Sequence, residues 1–270
     1  MEVPRPFAAG GLRVWEWPGE PPGALLLHGI GNYGRYWDFV AGAIDGRLRL
    51  VAPDARGHGD SAKPSEGYEP GHFVADAIAV LDAAALARPL IVGHSMGGFH
   101  ATALTLAHPE RVRALVLVDV GPRTEPRGDS RARRLSLDRP DRFPDDASAL
   151  AYLRETSPGY GDAVYANRMA WVFRRDGSGG YVWRSSKDAL AQILGSVGGA
   201  ATVWDRLAEI TCPVLVVRGT RSPSFSDETA RHMLAALRDA RLVDLDAGHN
   251  VALDRPRELA DAVLRFAQEI

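Results

Sequence analysis

Short runs of consecutive apolar residues recur along the chain, and longer segments with apolar residues at three- and four-residue spacing lie between them. Continuous apolar runs indicate strands buried on both faces, whereas the longer spacing indicates amphipathic helices. Strands that alternate with helices favour an α/β fold with a mostly parallel sheet flanked by helices. The predicted core strands are Ala24–Leu27, Leu48–Ala52, Leu90–Val92, Ala114–Val118, Val214–Val217 and Leu242–Leu245.

Two further patterns complete the predicted core. Apolar and polar residues alternate over Leu12–Trp17, which predicts an antiparallel edge hairpin with the first residues of the chain. Four segments carry the helical spacing, and they follow or separate the core strands. The predicted helices are Phe73–Leu86, Gly97–Ala107, Asp227–Leu237 and Pro256–Gln268.

One long interval, from Gly121 to about Leu207, interrupts this alternation. It has no strong strand signal but many Arg, Asp and aromatic residues. Because a structureless loop of that length is unlikely in a compact domain, we expect a helical cap over the sheet at residues 122–207. Residues 1–121 and 208–270 then form the core. Aromatic side chains of the cap either pack it onto the core or line a substrate pocket, and Tyr152 and Trp171 are the pocket candidates.

Composition narrows the possible partners. The 270 residues are 46% hydrophobic and 24% charged, as in globular proteins with a substantial core, and the formal net charge is −2. Such a balance favours neither nucleic acid nor an anionic membrane surface, so the expected partner is a small-molecule substrate. Cys212 is the only cysteine, which excludes an internal disulfide. With no signal-peptide pattern and no apolar stretch of ~20 residues, a cytoplasmic protein is expected. The sequence does not predict an oligomeric state.

The first chemical motif is Gly93-His94-Ser95-Met96-Gly97. A bare G-x-S-x-G is weak support for a nucleophile, but this copy ends an apolar strand and opens a helix, which is the context that the motif requires. The flanking glycines allow strand and helix to approach closely around a strained turn. Ser95 is therefore expected to stand above the sheet edge as a nucleophile.

A second glycine turn, His28-Gly29-Ile30-Gly31, follows the strand Ala24–Leu27. An oxyanion needs two hydrogen-bond donors, and the backbone N–H of Met96 supplies one of them. The N–H of Ile30 is expected to supply the other, while His28 holds the loop. A third turn, Asp54-Ala55-Arg56-Gly57-His58-Gly59-Asp60-Ser61, is interpreted as structural.

Together these motifs resemble the α/β-hydrolase fold family, since HGIG, DARGHGDS and GHSMGG follow three successive strands. The segment Asp246–Pro256 is similar to the loop that carries the catalytic histidine in that family. The resemblance spans both ends of the chain and everything except the cap. It implies the chain order Ser, acid, His, with His249 as general base. It implies no metal and no organic cofactor.

The acid departs from the commonest family pattern, which places Asp three residues after a Gly that ends the penultimate strand. Here Gly219 is followed by Ser222 in that position. Some esterase-like members instead place the acid after the strand that follows the nucleophile, and Asp119 occupies that position. We therefore favour Asp119, with Ser222 as a second hydrogen-bond partner. Asp227, Glu228 or the lack of a working acid remain alternatives.

The predicted activity is serine hydrolysis of a carboxylic ester or lactone of small to medium size, by a triad of Ser95, His249 and Asp119. A serine nucleophile argues against the dehalogenases and epoxide hydrolases of the family, which use Asp. A C–C bond hydrolase of the type that cleaves ring-fission products is an alternative. So is a non-catalytic ligand-binding protein, for which Ser222 in the usual acid position is the supporting feature.

Overall fold

The strands of the protein form a large central sheet and a smaller separate sheet. The computed structural model describes residues 3–121, 126–197 and 201–270. Within these residues the eleven strands, numbered in chain order, are β1 Arg5–Ala9, β2 Leu12–Trp17, β3 Ala24–Leu27, β4 Leu50–Pro53, β5 Leu90–His94, β6 Ala114–Val118, β7 Arg142–Phe143, β8 Phe173–Arg175, β9 Tyr181–Trp183, β10 Val214–Gly219 and β11 Ala240–Leu245.

The central sheet contains eight strands in the order β1-β2-β4-β3-β5-β6-β10-β11. Strands β1 and β2 pair antiparallel, β2 pairs antiparallel with β4, and the other neighbours pair in parallel. The register places Leu27 opposite Gly93, His94 opposite Val118, and Val118 opposite Val217. The carboxyl ends of β3, β5, β6 and β10 therefore meet along one edge of the sheet. In open α/β sheets, ligands bind at that edge.

Helices cover the sheet and form much of the segment inserted after β6. In the described residues they are α1 Asp38–Ile44, α2 Pro70–Ala83, α3 Met96–Ala107, α4 Pro126–Leu137, α5 Asp146–Thr156, α6 Asp162–Val172, α7 Lys187–Val197, α8 Ala201–Trp204, α9 Asp227–Ala236, α10 Val251–Asp254 and α11 Pro256–Glu269.

Both faces of the sheet are buried, as the continuous apolar runs predict. Leu26 and Val116 pack with α1 and α11 in one cluster, and the alternate residues Leu25 and Leu115 pack with α2, α3 and α9 in another. All four side chains are at most 2% exposed. This alternation follows from the two-residue period of a strand, and it makes the sheet a rigid platform for the loops at its edge.

The mostly parallel sheet flanked by helices confirms the predicted α/β class. The six predicted core strands and the edge hairpin all form, with ends shifted by up to two residues, and the four predicted helices form as α2, α3, α9 and α11. The short helices α1 and α10 of the core were not predicted.

The segment after β6 differs from the expectation of a region without strands. Besides helices it contains a three-stranded antiparallel sheet in the order β7-β9-β8, in which Phe143 pairs with Tyr181 and Phe173 with Trp183. Its strands have only two or three residues, too few to show a period of two. Residues 122–125 and 198–200 of the predicted cap lie outside the described residues.

Candidate active site

Ser95 stands in a sharp turn between β5 and α3, with φ = 53° and ψ = −121°. A non-glycine residue rarely adopts a positive φ, so this backbone is strained and must be held by its surroundings. Its N–H donates to the carbonyl of Val118, and its carbonyl accepts from the N–H of Phe99. A Cβ at Gly97 would lie 2.2 Å from the carbonyl oxygen of Leu27, so only glycine permits this packing.

The imidazole of His249 connects Ser95 with Asp119. Its Nε2 lies 3.1 Å from Ser95 Oγ, and its Nδ1 lies 2.7 Å from Asp119 Oδ2. The carboxylate only accepts, so Nδ1 carries the proton and Nε2 is left to accept from the serine hydroxyl. The side chain of His249 is 28% exposed, so the ring is accessible from outside while one of its edges meets the carboxylate.

Asp119 follows the last residue of β6, and its carboxylate is completely buried. It has φ = 49°, a left-handed conformation that Asp adopts more readily than most residues. The N–H of Gly219 donates to Oδ1 over 2.9 Å, and the hydroxyl of Ser222 donates to Oδ2 over 2.5 Å. With His249 as third partner, the buried charge is fully surrounded by donors, as burial of a carboxylate requires.

The rival acids point elsewhere. Asp227 pairs with Arg218 at 3.4 Å and with Arg231 at 2.6 Å in the first turn of α9. Glu228 is exposed on the same helix. Within the described residues neither carboxylate bonds to His249. Of the acids considered from the sequence, Asp119 is therefore the one that the fold brings to the imidazole.

The glycine turn after β3 lies directly against the nucleophile. A Cβ at Gly29 would lie 3.1 Å from the Cβ of Ser95, so the two backbones are in contact distance. In the described part of the chain, the N–H groups of Ile30 and Met96 have no hydrogen-bond acceptor. An oxyanion needs two such donors, and the assignment of these two N–H groups to that role stays a prediction.

Two buried histidines fix that turn. His28 Nε2 accepts from the N–H of Ala55 over 3.0 Å, and His58 Nε2 accepts from the N–H of Gly31 over 3.0 Å. Burial lowers the pKa of both imidazoles, which keeps Nε2 free to accept. Hydrogen bonds to the DARGHGDS turn thus hold the HGIG turn in place.

The aromatic residues singled out as pocket candidates pack against other parts of the protein. Trp171 meets Trp15 edge to face at 4.9 Å, and the guanidinium of Arg35 lies 4.7 Å from its ring centre. Tyr152 lies 5.2 Å from Phe143 and 5.7 Å from Trp183 in an aromatic cluster of the inserted segment. Their place in a substrate pocket stays a prediction.

Sequence reasoning missed one residue at the centre of the site. The Nε2 of His94 lies 2.8 Å from the carbonyl oxygen of His249, and its ring stacks on Tyr36 at 5.3 Å. The position of His94 next to Ser95 was the available signal. The sequence does not show, however, that a histidine at a strand end bonds to a residue 155 positions away.

Neither a metal-binding cluster nor a membrane-spanning helix occurs among the described residues. No three or more His, Cys, Asp or Glu side chains there are grouped so that they could hold a metal ion. No helix among them combines the length and the apolar character that crossing a membrane requires.

Comparison with known proteins places the chain among hydrolases. It is 30% identical over 270 residues to 3-hydroxybutyrate-oligomer hydrolase of Cupriavidus necator, with 92% of this chain and 89% of that protein covered. It is 29% identical over 264 residues to an esterase of Mycobacterium tuberculosis, with coverage of 94% and 86%. The crystal structure of E-2-(acetamidomethylene)succinate hydrolase superimposes with a TM-score of 0.87 at 25% identity, covering 98% of this chain and 99% of that one.

These likenesses extend over the core and the inserted segment alike. The sequence profile of the alpha/beta hydrolase family matches residues 24–262, which include Ser95, Asp119 and His249. Both the fold and the resemblance noted in the sequence are thereby confirmed, and the chain belongs to the alpha/beta hydrolase family.

Proposed function

We propose that the protein is a serine hydrolase that cleaves a carboxylic ester or lactone of small to medium size. In this proposal Ser95 is the nucleophile, His249 the general base and acid, and Asp119 the carboxylate that orients the imidazole. Ser222 supports Asp119. Two relatives with esterase or oligomer-hydrolase activity in their names favour ester chemistry.

One observation carries the proposal. An unbroken line of contacts runs from Asp119 Oδ2 to His249 Nδ1 over 2.7 Å and from His249 Nε2 to Ser95 Oγ over 3.1 Å. A hydroxyl becomes a useful nucleophile at neutral pH when a base within hydrogen-bond reach takes its proton. The buried carboxylate fixes the tautomer of that base and balances the charge that it gains.

Acylation follows from this arrangement. Ser95 Oγ attacks the acyl carbon as its proton moves to His249 Nε2, and the carbonyl oxygen gains a negative charge. The N–H groups of Met96 and Ile30 are placed to donate to that oxygen, and loss of one such donor typically costs ~10²–10³ in rate. His249 then gives that proton to the leaving alkoxide oxygen as the acyl C–O bond breaks, and an acyl-enzyme on Ser95 remains.

Deacylation repeats the cycle with water. His249 Nε2 accepts a proton from water, the hydroxide attacks the acyl carbon, and the second oxyanion uses the same two N–H donors. Collapse of this intermediate releases the carboxylic acid as the proton returns to Ser95 Oγ. Every proton in this scheme moves between side chains, water and substrate.

We further propose that residues 122–207 act as a cap that shapes the substrate pocket over the core formed by 1–121 and 208–270. The inserted segment contacts the core just after the HGIG turn, because the hydroxyl of Tyr33 donates to Asn167 Oδ1 and the amide of Asn167 donates to Asp38 Oδ2. Tyr152 and Trp171 belong to this segment, and specificity on this fold is carried by such insertions rather than by the sheet.

The test is hydrolysis of a short-chain p-nitrophenyl ester by wild type and by Ser95→Ala, combined with fluorophosphonate labelling. We expect turnover and a single labelled peptide containing Ser95 in wild type, and neither in Ser95→Ala. Loss of the nucleophile should lower kcat by roughly 10⁴–10⁶. Unchanged melting of Ser95→Ala would separate lost chemistry from lost folding.

Three outcomes would contradict the proposal. Wild type that neither hydrolyses esters nor reacts with the fluorophosphonate would favour a non-catalytic ligand-binding protein. Labelling at Ser95 without turnover of any ester or lactone would favour cleavage of another bond, such as the C–C bond of a ring-fission product. Turnover that survives in Ser95→Ala would place the nucleophile elsewhere.

A further inference from the structure

His94 lies between Gly93 and the proposed nucleophile, and its side chain is buried. The ring Nε2 is 2.8 Å from the backbone carbonyl oxygen of His249. Because a carbonyl only accepts hydrogen bonds, Nε2 must carry the ring proton and donate it. The residue that precedes the nucleophile thus bonds to the backbone of the proposed base.

The second nitrogen of the same ring is confined. His94 Nδ1 is buried and has no hydrogen-bond partner among the described residues. The backbone of Gly29 lies against it, since a Cβ there would come within 2.9 Å of Nδ1. Burial lowers the pKa of His94 well below its usual range. A neutral ring with its proton on Nε2 fits this site, whereas a second N–H would be buried without an acceptor.

Flat packing fixes the plane of the ring. Tyr36, itself buried, stacks on His94 with the two ring planes 17° apart. On another side the imidazole of His249 lies 4.8 Å away at 47°. The orientation of the His94 ring determines the direction of its Nε2–H group, so these contacts direct that N–H toward the carbonyl of His249.

These contacts close a loop around the reaction centre. Ser95 Oγ meets His249 Nε2, the carbonyl of His249 meets Nε2 of His94, and the peptide bond joins His94 to Ser95. We propose that His94 is a positioning residue, which sets the distance between nucleophile and base by tying the backbone of His249 to the residue next to Ser95. The proposal rests on the function proposed above for Ser95 and His249.

Other hydrogen bonds hold the neighbours of His249, whereas His94 holds the carbonyl of His249 itself. The N–H of Gly248 donates to Asp254 Oδ2 over 2.6 Å, and the carbonyl of Ala247 accepts from the N–H of Arg221. After residue 249, the carbonyl of Asn250 accepts from the N–H groups of Leu253 and Asp254. The carbonyl of His249 itself is held by His94. A misplacement of ~1 Å in a reacting pair can lower the rate by roughly 10². One hydrogen bond at this point can therefore affect the rate more than its contribution to folding stability would suggest.

Three variants isolate the donor. His94→Phe keeps a flat ring against Tyr36 and removes the N–H, whereas His94→Gln places an amide N–H at similar reach. His100→Phe is the matched control, because His100 is a buried histidine of α3 that stacks on Phe73 at 3.8 Å and bonds to neither Ser95 nor His249. We expect His94→Phe to lower kcat by roughly ten- to a hundredfold with KM within about twofold. His94→Gln should stay within about threefold of wild type, and His100→Phe should be unchanged.

A second readout does not depend on turnover. The proton between His249 Nδ1 and Asp119 should give a far-downfield NMR resonance in wild type, in His94→Gln and in His100→Phe, and a broadened or missing one in folded His94→Phe. A folded His94→Phe with wild-type kcat and resonance would overturn the proposal, and so would a folded His94→Gln that fails to restore either. If wild type turns over no ester but the resonance follows this pattern, the assigned activity fails and the positioning role stands.

Discussion

The hydroxyl of Ser222 donates over 2.5 Å to Asp119 Oδ2, the same oxygen that accepts from His249 Nδ1. Ser222 occupies the position where the family pattern noted in the sequence places the acid, and Asp119 directly follows the neighbouring parallel strand β6. The paired strands β6 and β10 therefore deliver both positions to one point. We therefore expect a carboxylate at either position to reach the same imidazole.

Replacing Asp119 by Asn should nearly abolish turnover. The amide cannot balance an imidazolium, and its N–H₂ group favours the wrong tautomer of His249, so we expect kcat to fall by about 10⁴. Steady-state hydrolysis of a p-nitrophenyl ester measures the effect. Asp227→Asn is the control and should remain within about twofold, since Asp227 pairs with Arg218 and Arg231. The reverse pattern would move the acid to α9.

Removing the hydroxyl of Ser222 should weaken the site without destroying it. Hydrogen bonds to charged groups contribute about 1.5–3 kcal/mol, and Ser222 is half-buried, so water can replace part of the loss. We expect Ser222→Ala to lower kcat/KM about tenfold and Ser222→Thr, which keeps the hydroxyl, to stay within about threefold. Equal activity of all three proteins would reduce Ser222 to a turn residue that accepts from the N–H of Ser224.

A carboxylate at position 222 should partly rescue the loss of Asp119. Because Ser222 Oγ lies 2.5 Å from the oxygen that faces His249, an Asp side chain there can reach the same Nδ1–H. We expect Asp119→Asn/Ser222→Asp to recover at least about tenfold in kcat over Asp119→Asn, by restoring a charge partner for the imidazolium. Asp119→Asn/Ser222→Asn is the control, because it has no carboxylate at either position. If both double variants are equally slow, the two strand ends are not interchangeable.

The core and the three central residues of the candidate site were predictable because they depend on local patterns. Buried parallel strands read as continuous apolar runs, and residues that follow such strands gather at one sheet edge. Ser95, Asp119 and His249 each stand directly after a strand or on the loop beyond it. Their meeting follows from strand order, which the resemblance to a known family supplied.

What remained hidden depends on side-chain direction and on long-range contacts. The bond from His94 to the carbonyl of His249 joins residues 155 apart, and no spacing rule links them. The packing of Trp171 on Trp15 depends on how α6 meets β2, which no local pattern shows, and its place in a substrate pocket stays a prediction. The strand Arg142–Phe143 is too short for any periodic signal.

Acid should destabilise the fold through its buried histidines. Burial lowers the pKa of His28, His58, His94 and His100, in the last case from 6.5 to about 3. Well above pH 6.5, from about pH 7.5, these rings are almost entirely neutral in the folded and unfolded chains and add little pH dependence. Below pH 6.5 these histidines bind protons in the unfolded chain but not in the folded protein, so stability is lost as the pH falls from 6.5 toward 3.

His100 allows this effect to be measured for a single proton. Each such histidine adds a slope of at most about 1.4 kcal/mol per pH unit to the free energy of unfolding. Urea unfolding at pH 7.5 and at pH values from 6 to 4.5 measures the free energy of unfolding. As the pH falls, this free energy should decrease more steeply in wild type than in His100→Phe, by up to about 1.4 kcal/mol per pH unit. The stack on Phe73 is kept in the variant, and the carboxylates common to both proteins cancel in the difference. Parallel stability curves over this range would mean that the buried ring of His100 accepts a proton in the folded protein, against the lowered pKa that its burial implies.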